Sequence, residues 1–165
     1  MIMLFLGAFH LMLWPGDIVF LYGMLGFILL PLRRFSNKTL LITGIGLLLL
    51  PILLYWLKMK FPVLNSPAEF LYQTGDKVDS KLTGVTSEET FKEYIKNANW
   101  FDVFKGDISG FFFRYGDLFF QSRFPKVLGM MLIGLVAGRS EFYKNIHQHK
   151  KSLYYIIAFG IIIAL

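Results

Sequence analysis

From Thr39 to Leu57 the chain runs for 19 residues without a charged side chain. That stretch limits the fold more than any other feature. A helix rises about 1.5 Å per residue, so it covers roughly 28 Å, close to the ~30 Å hydrocarbon core of a bilayer. In water, a helix apolar on every side must be buried on every side. The remainder of the chain is poorly equipped to do that. Only 17% of its 165 residues are charged and 55% are hydrophobic, whereas soluble domains carry charge on about a quarter of their residues. The apolar residues also come in blocks rather than at a period of about 3.6 or 2. The expectation is an all-α, polytopic transmembrane helical bundle whose partner is the lipid bilayer.

Five membrane segments are expected, at about 1–14, 18–32, 39–57, 111–138 and 153–165. The first and last are short for a span and read as truncated, which would make 1–165 a single membrane-domain fragment. Pro15-Gly16-Asp17 is a turn, since Pro and Gly break a helix and Asp caps the next one. Pro51 is expected to kink the third segment. Segment 111–138 reads either as one long broken helix or as an interfacial stretch leading into a short span. Within it, Gly134 and Gly138 form a small-xxx-small spacing that permits close helix contact.

Between 58 and 107 the composition turns polar, with seven lysines and eight acids. This is expected to be an external loop. Thr86-Ser87-Glu88-Glu89 is a capping-box pattern. Phe91, Tyr94, Ile95 and Ala98 then recur at spacings of three and four. An amphipathic helix over about 86–101 follows, lying on the membrane surface or, as is commoner, folded back on the protein.

The net charge of +6 would suit nucleic acid, but the cations sit between apolar blocks, and no nucleic-acid partner is expected. Their placement speaks to orientation. The short connectors Arg33 to Lys38 and Arg139 to Lys151 are basic, so both are assigned to the cytoplasm. Residues 15–17 and the 58–107 loop are then external. Absence of cysteine excludes disulfides, thiolate metal sites and cysteine nucleophiles. His147 and His149 have no carboxylate nearby, and no metal site is expected.

Ionisable groups at membrane depth cost roughly 2.5–3.5 kcal/mol each on insertion scales, which makes each a functional candidate. His10 and Asp17 are placed to meet at the outer mouth, and a His oriented by a carboxylate is the arrangement of a general base. The alternatives are a structural hydrogen bond for His10 and a helix cap for Asp17. Arg114 and Asp117, three apart on a helix, read as an ion pair that lowers insertion cost or as a substrate-binding pair, with Arg114 holding a phosphate or carboxylate.

Gly7-Ala8-Phe9-His10-Leu11-Met12-Leu13-Trp14-Pro15-Gly16-Asp17-Ile18, followed by Leu21-Tyr22-Gly23 and Gly26, resembles the YeiB-like DUF418 family of bacterial multi-pass membrane proteins. A later stretch, Val127 through Gly129, Gly134 and Gly138 to Arg139, is similar to that family's second recurring segment. The resemblance implies a place in the bacterial plasma membrane. It also implies a layout similar to that of transmembrane acyltransferases, in which an embedded His serves the chemistry. His10 would be the base, with Asp17 as its partner or as a cap. No tightly bound cofactor is implied, only an acyl donor such as acyl-CoA. Helices missing from 1–165, or a second copy of the chain, would complete the site. A transporter, with His10, Arg114 and Asp117 along its path, is the rival expectation, and a structural or signalling component is a third.

Overall fold

The computed structural model describes residues 2–14, 16, 18–140, 144 and 150–164. Among them every regular element is helical. The helix announced by the uncharged stretch is α3 (Asn37–Lys60). Ser36 starts it, its hydroxyl accepting from Thr39 N at 3.2 Å, and this satisfies one of the amides a helix start leaves open. It continues through Pro51 for 24 residues, about 36 Å. Among the described residues it is the one helix long and apolar enough to cross a membrane, and only 11% of its apolar window is buried. Before it come α1 (Ile2–Leu13) and α2 (Val19–Leu32), close to the expected 1–14 and 18–32.

The expected external loop is mostly helix. A short 3-10 turn, Pro62–Asn65, leads into α4 (Ser66–Thr83), which the sequence reading missed. Gly84 ends α4 at φ +73°, a conformation that glycine adopts without penalty. Next is α5 (Glu88–Asn97), capped by Ser87 with Thr90 rather than by Thr86 with Glu89. The expected 86–101 helix breaks at Asn99. Asn99 caps a separate helix, α6 (Trp100–Phe120), and Asp102 returns a bond to the cap's own N–H. Of the expected stripe, Phe91 and Ile95 are exposed, while Tyr94 and Ala98 are half-buried and the Tyr94 hydroxyl donates to Asp102 O of α6.

α6 ends at Gln121, and Ser122, in the left-handed region, turns the chain into α7 (Arg123–Arg139). Segment 111–138 is therefore two helices, one of which begins eleven residues earlier than expected. The last element is α8 (Lys150–Ala164). His147 and His149 lie outside the described residues.

Three antiparallel pairs build the molecule. α1 packs on α2, α3 on α7, and α4 on α6. In the α3–α7 pair Leu40 and Leu132 are buried and the backbones meet at Gly44 and Gly129. A Cβ on Gly129 would stand 2.7 Å from the Gly44 carbonyl oxygen. By contrast, nothing lies within 4 Å of such an atom on Gly134 or Gly138, so the small-residue pattern read from the sequence is not the one this crossing uses. The α4–α6 pair is zipped by rings over glycines, Phe113 on Gly75 and Tyr72 on Gly116. Two polar rungs reinforce it: Tyr72 hydroxyl to Asp117 Oδ1 at 2.7 Å, and the buried Ser109 hydroxyl to Asp79 Oδ1 at 2.8 Å.

The pairs join through one core cluster, Leu21 and Leu25 of α2, Tyr115 and Leu118 of α6, and Val127 of α7. These are early residues of α2 and α7. The α4–α6 pair thus covers the end of the helix group where α1 meets α2. At the opposite end Arg139 reaches across the α2–α3 connector. It donates through Nη1 to Phe35 O at 2.9 Å and Asn37 Oδ1 at 3.1 Å, and through Nη2 to Arg33 O. One cation thereby satisfies carbonyls that the end of α2 leaves open.

Candidate functional site

Of the four site residues expected from sequence, three are described. Asp17 lies outside the described residues, and with it the expected meeting with His10. His10 occupies the last turn of α1, its side chain exposed and its carbonyl accepting from Trp14 N at 2.8 Å. Arg114 and Asp117 share α6 but do not pair. Asp117 accepts from Tyr72, and among the described residues Arg114 makes no ion pair, its Nε being buried without a hydrogen-bond partner. The i,i+3 pairing expected from spacing gives way because Tyr72, from the facing helix, takes the carboxylate first.

Burial, then the Asp117 carboxylate, push the Tyr72 phenol up to about 12. The folded state therefore favours the neutral phenol. Its contribution to stability is complete below pH 10 and is lost as pH rises through 12. A spectrophotometric titration should show a last phenolic step near pH 12 that Tyr72→Phe removes. A last step near pH 10 in the folded protein would contradict the rung.

Two clefts flank α6 at this end. The first, about 300 Å³, lies between α1 and α6 and is lined by Leu11, Phe104, Asp107, Ile108, Phe111 and Phe112. Asp107 is its acid, and burial raises its carboxyl above the usual carboxylate range. Leu11 follows His10 in α1, which puts that histidine's turn at the rim. An apolar trough with one carboxyl suits an alkyl or acyl chain whose polar end stays at the mouth.

The second cleft, also about 300 Å³, opens where α3 ends and α6 turns into α7. Leu54, Leu64, Phe119 and Phe124 form its walls, with Lys58 and Ser122 at the polar end. Lys58 Nζ lies 2.7 Å from Phe119 O, 2.8 Å from Phe120 O and 3.0 Å from Ser122 Oγ. The amine thus caps the C-terminus of α6, where the carbonyls lack intrahelical donors. Neither residue stands out by type or spacing. Lys58 is simply the first charge after the apolar run, and its partners stand 61 to 64 positions away. Pro125, shortly after Ser122, was the available hint that a new helix starts there.

Among the described residues no group of three or more His, Asp or Glu could hold a metal ion. Comparison with models of protein families, with curated proteins and with solved structures finds no match for this chain.

Proposed function

We propose that this chain is a multi-pass membrane protein of the DUF418 type that transfers acyl groups to an acceptor at the end covered by α4 and α6. The observation that carries this reading is the apolar cleft between α1 and α6, beside the turn that presents His10. The acyl chain of a donor such as acyl-CoA fills the cleft. His10 takes the proton from an acceptor hydroxyl or amine as it attacks the acyl carbon, and returns a proton to the leaving group.

The membrane placement draws support from α3, whose apolar surface is left uncovered over most of its length. Trp14, Tyr55 and Trp56 are exposed toward the α4–α6 end, where an interfacial aromatic belt would sit. Contact of Arg139 with the Arg33–Asn37 stretch brings the two basic connectors to one end, consistent with a shared cytoplasmic side. The opposite end is basic too, through Lys60, Arg123 and Lys126, so the orientation rests on the short connectors.

His10→Ala should abolish the acylated product in membranes while protein abundance and membrane fraction stay unchanged. Product measured by mass spectrometry at wild-type level would refute the assignment. A transporter is the second reading, favoured by the buried, partnerless Nε of Arg114, a donor free for an anionic substrate. On that reading Arg114→Gln stops uptake into proteoliposomes, with no covalent product formed by the native chain.

A further inference from the structure

Three observations converge on Ser122. It is the only non-glycine residue with positive φ among the described residues, at φ 51° and ψ 40°. It is buried, only 7% exposed, yet it lines an apolar cleft. That hydroxyl lies 3.0 Å from the amine of Lys58. A serine held in a strained turn immediately before a helix, within hydrogen-bond reach of a base, is the arrangement that activates serine nucleophiles, and lysine serves as that base in Ser–Lys enzymes. Strain of this kind persists where the surroundings impose it, often at functional sites.

The hydrogen-bond arithmetic around Lys58 fits the role. As an ammonium it would donate to all three oxygens. As a neutral amine it has two N–H groups for the two carbonyls, Phe119 O and Phe120 O, and one lone pair. The remaining neighbour is Ser122 Oγ, whose own proton then points at that lone pair. The two carbonyls thereby orient the base toward the nucleophile.

We infer that Ser122 and Lys58 form a nucleophile–base pair that takes an acyl group from a lipid ester onto the serine. Lys58 Nζ accepts the Ser122 proton as Oγ bonds to the ester carbonyl carbon. The tetrahedral intermediate develops its negative oxygen beside the start of α7, where the amides of Arg123 and Phe124 have no intrahelical acceptor. The bond from carbon to the lipid alkoxide breaks, and the Lys58 ammonium protonates that alkoxide. The acyl-serine is released when an acceptor hydroxyl, or water, attacks with Lys58 again as base, and the serine proton is restored. The fatty chain lies between Leu54, Leu64, Phe119 and Phe124. The donor is a bilayer lipid, because the cleft opens at the end of the apolar helix α3. This rests on the membrane placement proposed above but not on His10.

The test uses the full chain in detergent and a long-chain alkyl fluorophosphonate, which esterifies activated serines. Expected is one adduct, mapped by tandem mass spectrometry to Ser122, forming with a rate that rises with pH through a single ionisation. Ser122→Gly keeps the positive φ at no steric cost and should fold but not label. Lys58→Arg keeps N–H donors for the α6 carbonyls but cannot act as the base, and should label at least tenfold more slowly with little change in melting temperature. No adduct on the native chain, a pH-independent rate, or undiminished labelling of Ser122 in Lys58→Arg would each overturn the pair. His10→Ala should label at the native rate. Labelled Ser122 with a dispensable His10 leaves this proposal standing without the first, and the converse result does the opposite.

Discussion

Gly129→Ala should destabilise the protein by about 3 kcal/mol, the upper part of the range for overpacking a tight contact. The added methyl meets backbone rather than a flexible side chain: 2.7 Å to Gly44 O and 3.1 Å to Leu48 N. Relief requires α3 and α7 to separate along the pair that buries Leu40 and Leu132. In a chain of this size that corresponds to a drop of roughly 6–12 °C in melting temperature, measured by thermal unfolding in detergent. Gly134→Ala is the control. It has no neighbour within 4 Å and should be neutral or gain up to about 1 kcal/mol from helix propensity. Equal losses at the two glycines would mean that the crossing lies elsewhere.

The second large effect is expected from Lys58→Met. It keeps the apolar stem and removes the amine, so the carbonyls of Phe119 and Phe120 lose their donor and Ser122 its partner. A hydrogen bond contributes about 0.5–1.5 kcal/mol net, and a buried acceptor left without its donor costs about 1–3 kcal/mol. Partial exposure here scales the total to about 3 kcal/mol. The loss should be local first. Amide hydrogen exchange should quicken at 117–122, where α6 ends, before it quickens in α2 or α3. Uniform quickening, or none, would show that the amine is not what holds the elbow.

What the sequence disclosed follows from how each element is encoded. The α3 helix is written in one uninterrupted apolar run, so its presence and approximate ends were legible, as were those of α2. The α4 helix was hidden because its buried face consists of Ala68 and Gly75 with Leu71 and Tyr72 half-covered. A face of small residues among Glu, Asp and Lys has no hydrophobic period to detect, and only the partner helix α6 makes it a packing surface. The break at Asn99 was missed because Phe91, Tyr94, Ile95 and Ala98 run straight into Trp100 and Phe101, masking a second capping box. The site was less legible still. His10 stood out because a lone ionisable group in an apolar block always does. Lys58, Tyr72 and Ser122 are ordinary residues in ordinary neighbourhoods until a turn of left-handed backbone and an antiparallel pair bring them to their partners. The Arg114–Asp117 spacing was real, but local spacing carries no information about a competing phenol 45 positions away.

The pairing of α3 with α7 also sets a schedule for biosynthesis. Once Lys60 has been joined to the growing chain, the entire stretch 61–122 must be translated before the complementary strip on α7 can begin. At 5–20 residues per second that interval is on the order of ten seconds or less. On the membrane placement proposed above, α3 resides in lipid during that interval with its Gly44 notch vacant, and its own apolarity has to keep it there. α7, bracketed by Arg123, Lys126 and Arg139, arrives later and, on the multi-pass reading, finds a template already waiting. Early arrest of translation should therefore leave α3 inserted but the Arg33–Lys38 connector untethered and open to protease.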